Sequence, residues 1–234
     1  MRILAFETSA KAGSVALMED GVLLAESYQN TGLTHSQTVM VLAQQLLENC
    51  GLTVGNVDAV AVAAGPGSFT GVRIGVAAAK GFAWGREIPC YGVSTLEAMA
   101  LQLGVCRGYV VPVMDARRSQ VYNAVFRAEG GSLTRLSPDR AISLEDLAAE
   151  LKNLDGTIFL VGDGSVLCYN TLAEAVPGLI LPGEHRMHQR AAGVALAAFL
   201  EIGRGAAGDA ASLQPNYLRL SQAERERLAR GETL

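Results

Sequence analysis

The stretch Gly65-Pro66-Gly67-Ser68-Phe69-Thr70-Gly71 holds the residue types and spacing with the most chemical potential in the chain. It follows an apolar run, Asp58-Ala59-Val60-Ala61-Val62-Ala63-Ala64, that reads as a buried strand bounded by turn residues. It precedes Val72-Arg73-Ile74-Gly75-Val76-Ala77-Ala78-Ala79-Lys80-Gly81, which reads as a helix. Glycines on either side of a proline stop a strand in a tight turn. Ser68 or Thr70 then caps the helix by accepting from its free N–H groups. A strand, a glycine turn and a helix N-terminus form a cradle for an anion, because the first amides of a helix are unpaired and its dipole favours negative charge.

The spacing matches none of the common anion or nucleophile motifs. A P-loop ends in Gly-Lys-Ser/Thr, whereas Gly71 is followed by Val72 and Arg73. A dinucleotide fingerprint needs glycine where Thr70 stands. A nucleophile elbow needs glycines where Pro66 and Thr70 flank Ser68. Two acids at strand ends, Glu7 and Asp115, and the run Val161-Gly162-Asp163-Gly164 are further candidates. Both acids have the alternative of being satisfied by nearby backbone or arginine. His35 falls at a helix start, as a cap or surface residue. His185 and His188 have no evident third ligand, and zinc takes at least three from the protein. No serine–histidine–acid order has a motif to support it.

The elements that must position these residues follow from periodicity. Ile3–Thr8, Ser14–Met18 and Val22–Tyr28 read as strands, with turns at Lys11-Ala12-Gly13 and Glu19-Asp20-Gly21. Thr34 or Ser36 caps a helix to Asn49 whose apolar positions Val39, Leu42, Leu46 and Leu47 recur at helical spacing. After the glycine block come a strand at Ile88–Tyr91 and a helix at Ser94–Leu103. The pattern then restarts: strand Tyr109–Asp115, turn Ala116-Arg117-Arg118-Ser119, strand Val121–Phe126, a third strand near Leu133, helix Leu144–Leu151 and strand Thr157–Val161. Glu7 and Asp115 take matching places in the two halves. Ala223–Arg230 reads as a mixed-charge helix or a frayed tail.

Two β-β-β-α-β-α halves predict a two-lobed α/β fold of the actin-like, Hsp70-like or sugar-kinase-like type. The expected division is a first lobe of residues 1–105 and a second of 106–234, with the last helix packing back on the first lobe. Such a fold binds nucleotide between its lobes, so Glu7, Ser9, Asp115, Gly162 and Gly164 mark a vestigial nucleotide cleft. The turn after Asp115 holds Arg117 and Arg118 and lacks the glycine that lets backbone approach a phosphate. In the glycine-rich helix, Gly71, Gly75 and Ala79 fall four apart and share one face. That bare face packs either on the protein's own sheet or on a partner helix, and both readings stay open.

With 234 residues, 50% of them hydrophobic and 18% charged, the chain is globular with ample core. A net charge of −4 argues against tight nucleic-acid binding by this chain alone. The opening Met1-Arg2-Ile3-Leu4-Ala5-Phe6-Glu7 breaks its apolar run too early for a signal peptide. No apolar run approaches the roughly 20 residues of a membrane span. Cys50, Cys90, Cys106 and Cys168 form no C-x-x-C pair, as expected of reduced cysteines in a cytoplasmic protein.

Several of these segments resemble the bacterial TsaB (YeaZ) family. They are Ile3–Leu17, Thr34-His35-Ser36-Gln37, Ala63–Gly75, Val93-Ser94-Thr95-Leu96-Glu97, Asp115-Ala116-Arg117-Arg118 with Val121-Tyr122, and Pro215-Asn216-Tyr217-Leu218-Arg219. Glu7 stands where that family more often has aspartate, which weakens a metal or nucleotide role there. The resemblance implies a subunit of the machinery that makes N6-threonylcarbamoyladenosine in tRNAs reading codons that begin with A. It further implies pairing with the paralogue TsaD, which transfers the threonylcarbamoyl group, and with the ATPase TsaE. The chain would be a homodimer when alone and would meet tRNA only through the complex. ATP, magnesium and a metal ion are expected in the partner subunits, with no cofactor tightly bound here. The histidines of TsaD's metal-binding His-x-x-x-His fall on Thr95 and Met99, so no catalytic or metal residue is assigned to this chain. The resemblance places the subunit contact on the two helices that carry Thr34, His35, Val39 and Leu42, and Gly71, Val72, Gly75, Val76 and Ala79. Two other classes of function compete. A nucleotide-dependent small-molecule kinase of the same fold would need a working cleft. A peptidase would need a nucleophile–base pair, which the chain lacks.

Overall fold

Alternation of apolar side chains between the two faces of the first strand sets up the architecture. In β1 (Arg2–Glu7), Leu4 and Phe6 point to one face and Ile3 and Ala5 to the other, as period-2 geometry requires. The computed structural model describes residues 1–219 together with Arg227 and Arg230. The expected helix or tail at Ala223–Arg230 otherwise lies outside the described residues.

β1, β2 (Gly13–Glu19), β3 (Val22–Gln29), β4 (Ala59–Gly65) and β5 (Cys90–Ser94) form a sheet in the order β3-β2-β1-β4-β5. The first three are antiparallel neighbours and the last two are parallel. One face is covered by α1 (His35–Asn49) and α2 (Phe69–Trp84). The other is covered by α6 (Ala191–Gly203), which also packs on α3 (Thr95–Leu101). The second sheet uses β6 (Arg107–Asp115), β7 (Gln120–Asn123), β10 (Arg140–Ser143), β11 (Ile158–Val161) and β12 (Leu179–Ile180) in the order β10-β7-β6-β11-β12. Each strand of that path occupies the place of its counterpart in β3-β2-β1-β4-β5. The fold is therefore the expected two-lobed, actin-like one. α4 (Leu144–Leu151) and α5 (Ser165–Leu172) cover one face of the second sheet, and α3 covers the other through Leu96 and Met99, joined by Leu103 just after the helix.

Several expectations are corrected. The strand read over Val121–Phe126 is two, β7 and β8 (Phe126–Glu129), which pair with different parts of β6. Pro112 lies between those parts and has no N–H to donate, while Asn123 Nδ2 donates to its carbonyl at 3.2 Å. The strand near Leu133, β9 (Leu133–Arg135), pairs only with β8, and β10 takes the third place in the sheet. β5 begins two residues later than expected. Thr34 sits at the N-cap of α1, yet its hydroxyl accepts no capping bond, and Ser36 lies inside the helix. Ser68, not Thr70, caps α2, accepting from the Gly71 N–H at 3.3 Å.

The glycine face of α2 packs on its own lobe. A Cβ at Gly71 would fall within contact distance of the Thr8 carbonyl oxygen, and one at Gly75 would strike the Thr8 hydroxyl and Val62. Val72, Val76 and Ala79 lie in the same core, as do Val39 and Leu42 of α1. These side chains therefore present nothing to a partner, and the stripe is read as intramolecular close packing. Gly81, by contrast, has open space around it. Gly71→Ala should destabilise the fold by about 1–3 kcal/mol through overpacking. Gly81→Ala should stabilise it by about 0.5–1 kcal/mol through helix propensity. Denaturant unfolding of the two variants checks this, and two shifts of the same sign would contradict it.

Candidate functional site

The ends of β1 and β6 face each other across a cavity of about 560 Å³. Its lining includes Ser9, Lys11, Ser68, Phe69, Asp115, Arg117, Asp163 and Arg219. Three close approaches build its first-lobe wall. The Ser68 N–H donates to the Ser9 carbonyl at 2.7 Å, which ties the β1–β2 turn to the start of α2. A Cβ on Gly67 would lie 2.6 Å from that same carbonyl oxygen, so only glycine fits. Thr8 Oγ1 donates to the Gly71 carbonyl at 2.8 Å from below.

Glu7 lies under this wall, fully buried. Its Oε1 accepts from the Ser9 N–H at 2.6 Å, while Oε2 has no partner. Burial, offset in part by Ser9, pushes its carboxyl from the ordinary 4.5 up to about 7. Asp163 is also held above its ordinary value by burial, although Gln189 Nε2 donates to it at 2.9 Å. Asp115 accepts from the Arg117 N–H at 2.7 Å and pairs loosely with the Arg117 guanidinium at 3.7 Å.

The second-lobe wall is the β6–β7 turn. Arg117, Arg118 and Ser119 take φ values of 66°, 56° and 55°, three successive left-handed residues without a glycine. Each costs on the order of 1–2 kcal/mol relative to right-handed backbone. The turn persists because it is held at both ends. The Arg219 guanidinium donates to the carbonyl of Ala116, and the Leu144 N–H donates to that of Ser119 at 3.1 Å. Arg219 belongs to a strap that crosses the first lobe before reaching the second. The Asn216 N–H donates to the Ala64 carbonyl at 2.7 Å, and a Cβ on Gly65 would lie 2.5 Å from the Asn216 carbonyl oxygen. Tyr217 stacks on Phe69 with ring centroids 4.2 Å apart, and Arg73 Nε donates to its hydroxyl at 2.7 Å. Nothing in the periodicity of Pro215–Arg219 pointed to this wall; only the family resemblance singled the segment out.

Of the expected cleft residues Ser9 and Asp115 line the cavity, while Glu7, Gly162 and Gly164 do not, so the set fits a nucleotide poorly. The absent side chain of Gly162, at φ +111°, makes room for the Val113 carbonyl, and a Cβ on Gly164 would meet the Asp115 amide at 3.0 Å. That glycine pair serves close packing on β6. Among the described residues no three His, Cys, Asp or Glu side chains come together as metal ligands. Glu7 Oε2, Ser9 Oγ and Gln189 Oε1 are buried oxygens without partners, and Asp163 and Asp115 do not join Glu7 in a ligand set among the described residues. His35 is half-buried; its Nε2 lies 2.7 Å from the Ala10 carbonyl and its ring packs against Gly13, so it holds the β1–β2 turn. Thr34 is exposed. Thr95 and Met99 on α3 are fully buried, Met99 inside the core between the lobes.

The outer faces of α1 and α2 differ in character from the cleft. Met40 and Val41 are 44% and 52% exposed, and with Gln44, Leu47, Leu52 and Phe82 they line a groove of about 500 Å³. No helix among the described residues is long and apolar enough to cross a membrane.

Comparison with known proteins follows the same lines. A family profile described as TsaD, tRNA N6-adenosine threonylcarbamoyltransferase, matches residues 29–224. The tRNA threonylcarbamoyladenosine biosynthesis protein TsaB of Bacillus subtilis is 34% identical over 96% of this chain and 96% of its own. The structure of YeaZ from Pseudomonas aeruginosa superposes with a TM-score of 0.76 at 29% identity, covering 93% of this chain and 99% of that one. The Acidaminococcus fermentans (R)-2-hydroxyglutaryl-CoA dehydratase component A superposes with a TM-score of 0.50 at 12% identity, over 87% of this chain and 99% of its own, a likeness of fold alone.

The buried carboxyl makes a signed prediction. Glu7 binds its proton more tightly folded than unfolded, so its ionisation opposes folding. Stability should fall as pH rises from about 4.5 to about 7 and stay low above that. A shift of this size corresponds to about 3 kcal/mol. Glu7→Gln should remove that fall and be the more stable protein at pH 8. Urea unfolding from pH 4.5 to 8 tests this, and parallel profiles for the two proteins would contradict it.

Proposed function

The chain belongs to the TsaB family of tRNA threonylcarbamoyladenosine biosynthesis proteins, and from that premise we propose that it serves as a subunit with no transferase chemistry of its own. It takes part in forming threonylcarbamoyladenosine in tRNA, and its role is to pair with TsaD, which performs the transfer, with TsaE joining the assembly. The observation that carries this reading is on α3. The family resemblance sets Thr95 and Met99 where the transferring paralogue has its histidines, and both side chains are fully buried. A thioether and a lone hydroxyl are poor ligands for a hard metal ion.

The pairing surface in this reading is the outward side of α1 and α2 around Met40 and Val41, not the buried glycine stripe. An exposed apolar groove between two helices suits helix-on-helix docking. The same face closes a homodimer when the partner is absent. Nucleotide binding by the isolated chain is weak, with Kd roughly millimolar or about −4 kcal/mol. ATP, magnesium and the catalytic metal reside in the partner subunits, and tRNA is reached through the complex. Four free cysteines accord with a reducing, cytoplasmic setting.

The test is reconstitution with purified components. With tRNA and threonylcarbamoyl-adenylate, this chain alone should give no modification above background, and addition of its TsaD should give turnover. Transfer by this chain without TsaD would overturn the proposal.

A further inference from the structure

The pairing role leaves the rim of the cleft unexplained. Lys11, Arg117 and Arg219 reach one cavity from segments far apart in the chain, and Arg118 stands beside Arg117 in the same turn. Arg73 joins them across Tyr217, to whose hydroxyl it donates. These five belong to a chain with only 19 lysines and arginines and a net charge of −4, so the rim departs in sign from the whole. Lys11, Arg73, Arg117 and Arg118 are exposed, and Arg117 is 85% so. Among the described residues the facing acids are few. Asp115 is partly engaged by the turn's own amide, while Glu7 and Asp163 lie beneath the surface with their carboxyls shifted toward the neutral form by burial.

Aromatic rings are interleaved with this charge. Tyr217 and Phe69 stack nearly parallel, the Arg73 guanidinium lies 5.1 Å from the Phe69 centroid, and Tyr217 remains 41% exposed. Cations that track a phosphodiester backbone, beside planar groups on which bases stack, are what single-stranded nucleic acid requires. The turn that displays Arg117 and Arg118 is held in left-handed backbone by the clamp from Arg219, and such strain gathers at working sites.

We propose that the cleft rim formed by Lys11, Arg73, Arg117, Arg118 and Arg219, with the Phe69–Tyr217 stack, is a contact surface for single-stranded RNA. The proposal rests on the tRNA-modifying reading above and extends it. The transferring partner would then share the work of holding the RNA with this chain, which grips the backbone and supplies a stacking face but no sequence readout. Because the chain as a whole is acidic, the contact is weak by itself and steep in its dependence on salt.

The probe is a fluorescent single-stranded RNA of about ten nucleotides titrated with the isolated full chain between 25 and 200 mM salt. The isolated chain is used so that a failure to pair with TsaD, which would sink the proposed function, stays separate from the result here. Arg117→Asn with Arg118→Asn removes two charges while asparagine still tolerates left-handed backbone. The double variant should bind about tenfold more weakly at the lowest salt, with the slope of log K against log salt reduced by about one to two. Tyr217→Leu should weaken binding severalfold and leave the slope unchanged, and the distant Lys152→Asn should alter neither. Equal binding and slope for wild type and the double variant would overturn the proposal. So would tighter binding of ATP than of the RNA, or equal binding of an oligoglutamate, which would reassign the rim to a small anion or an acidic protein.

Discussion

Backbone meets backbone, with no side chain between, at the block from Gly65 to Gly71, and the remainder of the structure is arranged around that contact. Gly67 lies against the Ser9 carbonyl, Gly71 against that of Thr8, and Gly65 against that of Asn216. Three segments remote in sequence, the β1–β2 turn, the start of α2 and the C-terminal strap, are thereby brought together. A methyl group at any of these positions would push them apart. The cost in helix propensity of so many glycines is offset by hydrogen bonds that only such closeness allows, from Ser68 to Ser9 and from Thr8 to Gly71.

From that contact the character of the cleft follows. The strap, once fixed to the first lobe at Asn216 and Tyr217, carries Arg219 to the carbonyls of the β6–β7 turn and holds it in left-handed backbone. The lobes are braced again on the far side, where Arg135 donates to both Glu97 and Asp139 at 2.7 and 2.6 Å and Ser94 donates to Asp139. The glycines of the cleft are committed to close packing on β6.

Much of the fold was legible because it rests on local rules. The repeated β-β-β-α-β-α order, the strand-end acids and a helix cap at Ser68 or Thr70 follow from periodicity and turn chemistry. What escaped depends on distant partners. α6 is apolar on nearly every side because it lies between the first sheet and α3, so its residues Ala191–Gly203 show no amphipathic period. The break between β7 and β8 needs the neighbouring Pro112. The glycine stripe of α2 was compatible with either a partner or the protein's own sheet, and only the position of Thr8 decides between them. The clamp from Arg219 joins residues more than a hundred positions apart, which no local pattern encodes.

On the proposed pairing, α2 turns its bare face inward to its own sheet, and the groove along the outer side of α1, closed by Phe82 of α2, faces a partner subunit. The most direct test is titration calorimetry of the chain against its TsaD, comparing wild type with a Met40→Glu, Val41→Glu double variant whose fold is checked by circular dichroism. Placing two unpaired charges in the contact should weaken association at least about a hundredfold with the fold intact. A folded double variant that binds TsaD as tightly as wild type would contradict the account.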